Sequence, residues 1–394
     1  MKKNIGLLFF VLPSMLSANE WSGNIAIEQK LFSNDPLLSS QYSQYSSIAI
    51  QPEWVHEWDG GNQIFSFVPF ARWDQRDDER THVDIRELSW LKVFAESELR
   101  VGVRKVFWGV SESQHLVDII NQTDLVESTD GEEKLGQPMI NYALINDWGT
   151  VDLFVLPYFR ERTFAGNDGR LRTIPRVDAS NPEYESSDKE THTDYAARWS
   201  HSLGVWDIGL SYFDGTSRDP DFKLGLDANG DDVLLPVYYQ MQQTGIDFQA
   251  TLDAWLWKVE AINRRINNIT YNATTAGFEY TFYGVLDSAS DIGLVMEYLY
   301  DDRNDSATTP FEDDLMMGIR WTNNDENDTS LLFGIIADRD DSSRLYSIEA
   351  SRRIGQNWNL NLEARVFKKL TDVTSPLYSL REDDFLQLEL SYYF

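Results

Sequence analysis

The sequence contains no cysteine, and it is also poor in basic residues and in long apolar runs. The absence of cysteine excludes a disulfide framework, thiolate metal ligands and cysteine nucleophiles. Lysine and arginine number 34 against 64 aspartate and glutamate residues, which gives a formal net charge of −30. A chain this acidic repels the phosphate backbone, so we predict no nucleic-acid partner. No sequence motif indicates a cofactor.

The longest apolar run lies at the N-terminus. Two lysines precede an apolar run from Ile5 to Leu12, and the small residue Ala18 suits signal peptidase. This order is typical of a secretory signal peptide, so we predict a signal peptide over residues 1–18 and one exported domain over residues 19–394. No later stretch reaches the ~18 consecutive apolar residues of a transmembrane helix. The mean hydropathy of −0.41 fits a soluble protein or a barrel equally well.

From Leu386 to the end, the chain alternates between one apolar face and one largely polar face. Leu386, Leu388, Leu390 and Phe394 fall on one face of an extended strand, because side chains alternate with period 2. A half-buried strand of a soluble all-β protein would show the same pattern. The strand nevertheless resembles the terminal strand of bacterial outer-membrane barrels, which ends on phenylalanine and is read by the barrel-assembly machinery. A lipid-facing strand requires a closed barrel, since hydrocarbon tolerates no open sheet edge.

Segments of about ten residues with the same alternation recur along the chain, separated by turn signals. We predict an all-β, transmembrane, antiparallel up-and-down β-barrel of about eighteen strands, with sixteen as the nearest alternative. The predicted strands begin near Trp21, Tyr45, Gln63, Thr81, Glu98, Gln137, Thr150, His192, Val205, Val237, Ala254, Tyr271, Asp291, Asp314, Thr329, Arg344, Asn357 and Asp384. The strand from Val83 to Val93 does not alternate cleanly past Glu87, which indicates a β-bulge.

The predicted connections differ in length by parity. Those after even-numbered strands are short and those after odd-numbered strands are mostly long, with Arg339 to Ser343 as an exception. Short periplasmic turns and long outer loops are typical of barrels in the outer membrane of Gram-negative bacteria. The connection from Gly109 to Gly136 is rich in apolar residues, so we expect it to fold into the barrel and narrow the lumen.

The polar faces of the predicted strands carry charges of both signs. We expect the following to line the lumen: Lys258, Glu260, Arg264, Glu279, Glu297, Arg320, Glu349, Arg353, Glu363, Arg365 and Glu389. These charges predict either a ladder of ion pairs that stiffens the wall or a polar route for a charged solute, and the two are compatible.

One region of the chain resembles a known group of proteins. The order of residues is Arg86-Glu87, Gly102 and Arg104, Trp108-Gly109, Asn121 and Asp124, then Gly131 and Lys134. It is similar to uncharacterised outer-membrane barrels distantly akin to the alginate-export and porin families. The position after Trp108-Gly109, usually Glu in that group, is Val110 here, with Glu112 nearby. The resemblance covers residues 86 to about 140 and the C-terminal strand, and it implies a porin-like barrel in the outer membrane.

We therefore predict a porin-like channel for passive passage of small hydrophilic solutes. Its expected constriction consists of Arg104, Trp108, Glu112, His115, Asn121, Asp124 and Lys134. The alternative is the barrel component of a polysaccharide or lipid export system. An enzyme is disfavoured, because no His-x-Ser-Asn sequence of a phospholipase barrel is present. Expected partners are outer-membrane lipid, lipopolysaccharide and the assembly machinery.

The metal motifs are weak. Asp227, Asn229 and Asp231 are spaced like the start of a calcium loop, but position six is Asp232 and position twelve is Tyr238. We therefore predict a polar turn there and no metal site. The acidic loops as a group could still collect divalent cations that bridge to lipopolysaccharide phosphates.

Overall fold

The structure is a computed structural model that describes residues 18–304 and 307–394. The predicted signal peptide lies, except for residue 18, outside the described residues. Eighteen strands form the main sheet: β1 Ala18–Phe32, β2 Gln44–Trp58, β3 Gln63–Asp74, β4 His82–Val93, β5 Ser97–Arg104, β6 Gln137–Asn146, β7 Gly149–Leu156, β9 Asp194–Leu203, β10 Trp206–Thr216, β13 Gln240–Leu252, β14 Trp255–Ile266, β15 Ile269–Phe282, β16 Asp291–Asp301, β17 Asp313–Thr322, β18 Ser330–Asp338, β19 Arg344–Ile354, β20 Trp358–Lys368 and β21 Phe385–Tyr393. A separate three-stranded sheet consists of β8 Glu183–Tyr184, β11 Asp221–Leu226 and β12 Asp232–Tyr238. Short 3₁₀ turns cover Asp59–Gly61, Lys189–Thr191, Val285–Asp287 and Pro376–Leu380.

The main sheet closes on itself. Each of its strands pairs antiparallel with its neighbour along the chain, and β1 pairs with β21 from Asn24 opposite Tyr393 to Phe32 opposite Phe385. Closure removes the unpaired strand edges that a bilayer would not tolerate. The predicted eighteen-stranded antiparallel barrel is confirmed, and every strand begins within three residues of its predicted start. Among the described helical segments, none is long and apolar enough to cross a membrane.

The outer face of the barrel is apolar and is bordered by aromatic side chains. We call the end that carries the long connections the loop end, and the opposite end the turn end. Exposed aromatic residues near the turn end include Trp21, Trp148, Trp206, Trp255 and Trp358, and those near the loop end include Trp73, Tyr195, Tyr212, Tyr298 and Tyr300. Two such belts mark the positions where a barrel meets the two membrane–water interfaces.

Two local features of the strands follow from their sequences. The register between β3 and β4 shifts where Val68 faces Glu87 and Pro69 faces Ile85, so Arg86 is the extra residue of the predicted bulge. A two-residue turn at Asn267 and Asn268 joins β14 to β15, with φ of 47° and 62°. Asparagine tolerates this left-handed conformation in tight hairpins. This connection is a second short one at the loop end, besides the predicted one at residues 339–343.

Candidate functional site: the barrel lumen

The connection over residues 105–136, here called the inserted loop, leaves the wall after Arg104 and rejoins it at Gln137. Its apolar side chains, Trp108, Val117, Ile119 and Ile120, are buried in one cluster. The wall contributes inward-facing apolar residues to the same cluster: Met139, Phe154, Phe213, Met241, Ile262 and Tyr271. The loop therefore fills the half of the lumen beside β6 to β15, which explains why a connection this long carries so many apolar residues.

Two buried glutamates of the wall hold the tip of the inserted loop. Glu260 on β14 accepts hydrogen bonds from the backbone N–H groups of Val110 at 2.7 Å and Ser111 at 2.9 Å. Glu297 on β16 accepts bonds from the N–H groups of Glu112 and Ser113 at 2.7 and 2.9 Å. Several N–H donors bond to each carboxylate and take the place that a basic partner on the wall would otherwise have. Both were predicted to line the lumen; the structure places them under the loop.

Gly109 allows this close approach. Its φ of 140° favours glycine, and a Cβ atom there would stand 2.9 Å from Glu260 Oε1 and 3.1 Å from His115 Nδ1. The Trp108-Gly109 pair thus places an apolar anchor directly beside a residue that must be small.

His115 is half-buried between two carboxylates. Its Nε2 lies 2.9 Å from Glu132 Oε1, and its Nδ1 lies 3.8 Å from Glu260 Oε1. Burial alone would lower the pKa of His115, but the carboxylates of Glu132 and Glu260 outweigh it and raise the pKa to about 10. The ring is therefore a cation at neutral pH, and it holds two parts of the inserted loop against the wall.

Three residues of the order that resembles other outer-membrane barrels, Arg86, Asn121 and Asp124, form the base of the inserted loop. The Asn121 side chain accepts from the N–H of Val106 and donates to the carbonyls of Arg104 and Leu135, at 2.8 to 2.9 Å. The buried carboxylate of Asp124 accepts from Arg86 Nη1 on the β4 bulge and from Thr163 Oγ1, both at 2.7 Å.

The three other predicted constriction residues beside this base are also engaged. Lys134 pairs with Asp118 at 3.1 Å, Arg104 donates to Asn141 at 3.1 Å, and Trp108 lies in the apolar cluster.

A polar cavity of about 450 Å³ lies between the inserted loop and the inner face of β17 to β21. Its charged lining consists of Glu112, Asp130, Arg320, Glu349, Glu363 and Glu389. Of the seven predicted constriction residues, Glu112 borders this cavity. Five carboxylates and one guanidinium line it, and Arg365 of β20 contacts three of those carboxylates, so acidic groups are in excess but are partly paired.

Two ion-pair contacts join the inserted loop to the wall at this cavity. The first is Glu112 with Arg320 of β17 at 2.7 Å, supported by Lys258 at 3.5 Å. The second is Asp130 with Arg365 of β20 at 3.2 Å. The loop thus reaches across the lumen and bounds the open part on two sides.

Arg365 and Arg320 are themselves shared with other wall glutamates. Arg365 contacts Glu349 at 2.7 Å and Glu363 at 3.0 Å, and Arg320 contacts Glu279 at 3.3 Å. Two other predicted lumen residues lie elsewhere: Arg264 bonds Gln243 and Asp219, and Arg353 pairs with Asp328 near the turn end. Glu389, which lines the cavity, accepts hydrogen bonds from Asn361 and Ser391.

A second charged cluster was missed by the sequence analysis. Glu28 on β1 contacts Arg80 at 2.6 Å and Arg72 at 3.3 Å, and Arg72 continues to Glu127 of the inserted loop at 2.8 Å. The polar positions of β1 and β3 alternate like those of the later strands, so the same signal could have identified Glu28 and Arg72. Glu127 and Arg80 lie in loops and give no such signal.

The weak calcium pattern forms a polar turn. Asp227 accepts hydrogen bonds from the N–H groups of Asn229 and Asp231 at 2.8 and 3.0 Å, and it pairs with Arg176 at 3.0 Å. Within the described residues, no group of three or more acidic or histidine side chains is arranged to hold a metal ion.

The fold defines a class: a closed, eighteen-stranded, antiparallel β-barrel whose lumen is partly filled by its third long connection. The chain matches no protein-family model and no curated protein sequence. It is similar to solved structures of mutants of the porin from Rhodopseudomonas blastica. A triple mutant aligns over 96% of this chain and 100% of that chain, with 11% identity and a TM-score of 0.45. Another mutant of that porin, and a structure described by the words "asymmetric conductivity of engineered proteins", align with the same values.

Proposed function

We propose that the protein is a porin-like channel of the outer membrane for passive passage of small hydrophilic solutes. The observation that carries this proposal is the acid-lined cavity between the inserted loop and β17 to β21. A closed wall with an apolar outer face and a partly polar lumen is the arrangement that a membrane channel requires. The contacts of Glu112 with Arg320 and of Asp130 with Arg365 form its constriction in this proposal.

The lining also supports a preference for cations. Glu389 supports it most directly, because its carboxylate bonds to the neutral side chains of Asn361 and Ser391, and among the described residues it forms no ion pair with a basic side chain. Rings of acidic side chains select cations in other pores by the same electrostatic effect. The apolar outer face with its two aromatic belts, and the C-terminal strand β21, support the outer membrane as the location. The partners in this proposal are lipid, lipopolysaccharide and the assembly machinery.

The test is the reversal potential of the folded mature chain in a planar bilayer under a potassium chloride gradient. We expect a steady conductance that favours potassium, and a smaller preference in Glu389→Gln. Asp287→Asn, which neutralises an exposed carboxylate in a connection at the turn end, is the matched control and should leave selectivity unchanged. Folded protein that gives no conductance, or that favours chloride, would refute the proposal.

A further inference from the structure

The barrel wall has a gap at the point where the inserted loop begins. β4 pairs with β5 from Leu88 to Val93, because β5 ends at Arg104 and the chain then turns into the lumen. The part of β4 from His82 to Glu87 pairs with β3, and no strand pairing is found on its other side within the described chain.

The end of the inserted loop approaches this unpaired part of β4. Gly136 packs there so closely that a Cβ atom would collide with the carbonyl oxygen of Ile85. The loop thus brings its backbone against this unpaired part of β4, and the outer face of the wall is recessed there.

The recess is an apolar cavity of about 680 Å³. Ile50, Val83, Ile85 and Val103 line it, and these side chains belong to the outward face of β2, β4 and β5. Val83 is 81% exposed on that face. The volume is in the range of about 300–1,000 Å³ that is typical of small-molecule sites. The cavity is therefore large enough for a ligand, and it opens where the barrel meets lipid.

The floor of the cavity is sealed and electrically neutralised. Phe70 covers it on the lumen side and is 8% exposed. The Asp84 carboxylate lies 2.9 Å from Arg160 Nη1 and 3.1 Å from Arg86 Nη1, and Arg160 also donates to the Gly136 carbonyl at 2.9 Å. A ligand that enters from the lipid side meets aliphatic side chains and no charge that lacks a partner.

The depth of the cavity also fits the hydrocarbon region. Trp73, 58% exposed, belongs to the aromatic belt near the loop end, and Ala71 at the cavity lies two residues further from that end on the same face of β3. Lipid headgroups lie at the level of an aromatic belt, whereas acyl chains lie between the two belts.

We propose that this cavity is a binding site for one acyl chain of a membrane lipid. It is continuous with the lipid-facing surface, it is apolar, and its floor offers no free charge to a headgroup. Chain methylenes gain from packing against the recessed wall, whereas a polar solute would lose its hydration. A site of this kind anchors a lipid at the strand gap and covers the β4 backbone there.

The test uses vesicles of phosphatidylethanolamine and phosphatidylglycerol that contain a phosphatidylethanolamine with a diazirine in the middle of one acyl chain. The folded mature chain is irradiated in these vesicles, and adducts are mapped by peptide mass spectrometry. We expect adducts to concentrate on cavity residues such as Ile85 and Val103, relative to Val259 and Leu360 on the open outer face. This comparison needs no variant.

Ala71→Trp should fill the cavity and cause loss of those adducts. Ala261→Trp is the matched control, since Ala261 is a half-buried alanine on the outward face of β14, and it should keep them. Heat-modifiable migration on a gel verifies that each variant is folded. Equal labelling of the cavity and the open face, or adducts at the cavity that persist in Ala71→Trp, would overturn the proposal.

Discussion

At the scale of single residues, buried Glu260 and Glu297 determine where the inserted loop lies. Their carboxylates accept hydrogen bonds from loop N–H groups that would otherwise be buried without a partner. An unsatisfied buried donor costs about 1–3 kcal/mol, so each glutamate replaces several such penalties with favourable bonds.

Replacing Glu260 should therefore loosen the loop. Glu260→Ala removes the acceptor for the N–H groups of Val110, Ser111 and Val117, and each lost bond to a charged group contributes roughly 1.5–3 kcal/mol. We expect a lower urea midpoint for unfolding from lipid vesicles and a noisier conductance. Glu389→Ala is the control, because that glutamate touches no part of the loop; an equal loss in both variants would contradict the assignment.

His115 should make stability depend on pH in the alkaline range. Its pKa is raised from 6.5 to about 10 in the folded chain, so the protonated ring stabilises the fold fully below pH 6.5. This contribution is lost as the pH rises through about 10. The difference in unfolding midpoint between wild type and His115→Gln should be present at pH 6 and nearly absent at pH 10.5. A difference that grows with pH would show that the ring is neutral in the folded protein.

At the scale of elements, the inserted loop behaves as a core that the barrel encloses. Ile120 is fully buried in the cluster with Trp108 and the inner wall. Its replacement by alanine leaves a cavity, at a cost of about 2–5 kcal/mol for a buried Ile→Ala change.

We expect Ile120→Ala to lower the unfolding midpoint and to expose the loop to trypsin at Lys105 and Lys134. Leu360→Ala removes an aliphatic side chain from the lipid-facing side of β20 and should do neither, since lipid refills that space. Trypsin fragments that appear equally in both variants would show that the loop is not held by its apolar residues.

The strands could be predicted from the sequence because their signal is local. A period-2 alternation and the turn residues that end it can be recognised within about ten consecutive residues. The bulge appeared as a break in that alternation at Glu87. The path of the inserted loop could not be predicted, because it depends on contacts such as Val110 with Glu260, 150 residues apart. The small sheet was also missed, since the two residues of β8 give no periodic pattern.

At the scale of the whole molecule, closure of the barrel allows charged residues to line its lumen. A closed wall excludes lipid from the lumen, so charged residues of β14 to β21 can remain hydrated or paired inside. The asymmetric filling places apolar packing beside β6 to β15 and leaves the charged cavity beside β17 to β21. A channel in this barrel would therefore run off-centre.

Closure between the first and last strands is testable because the chain has no cysteine of its own. Ala26 on β1 faces Ser391 on β21, and both side chains are buried on the inner side of the wall. Paired residues of neighbouring strands have Cα atoms about 4.5–5.5 Å apart, a distance that a disulfide spans. Oxidation of the folded Ala26→Cys, Ser391→Cys variant should join the two ends of the chain and change its unfolded gel migration until reductant is added. Ala26→Cys with Glu389→Cys is displaced by two residues and should cross-link poorly, whereas equal cross-linking of both pairs would contradict the register of closure.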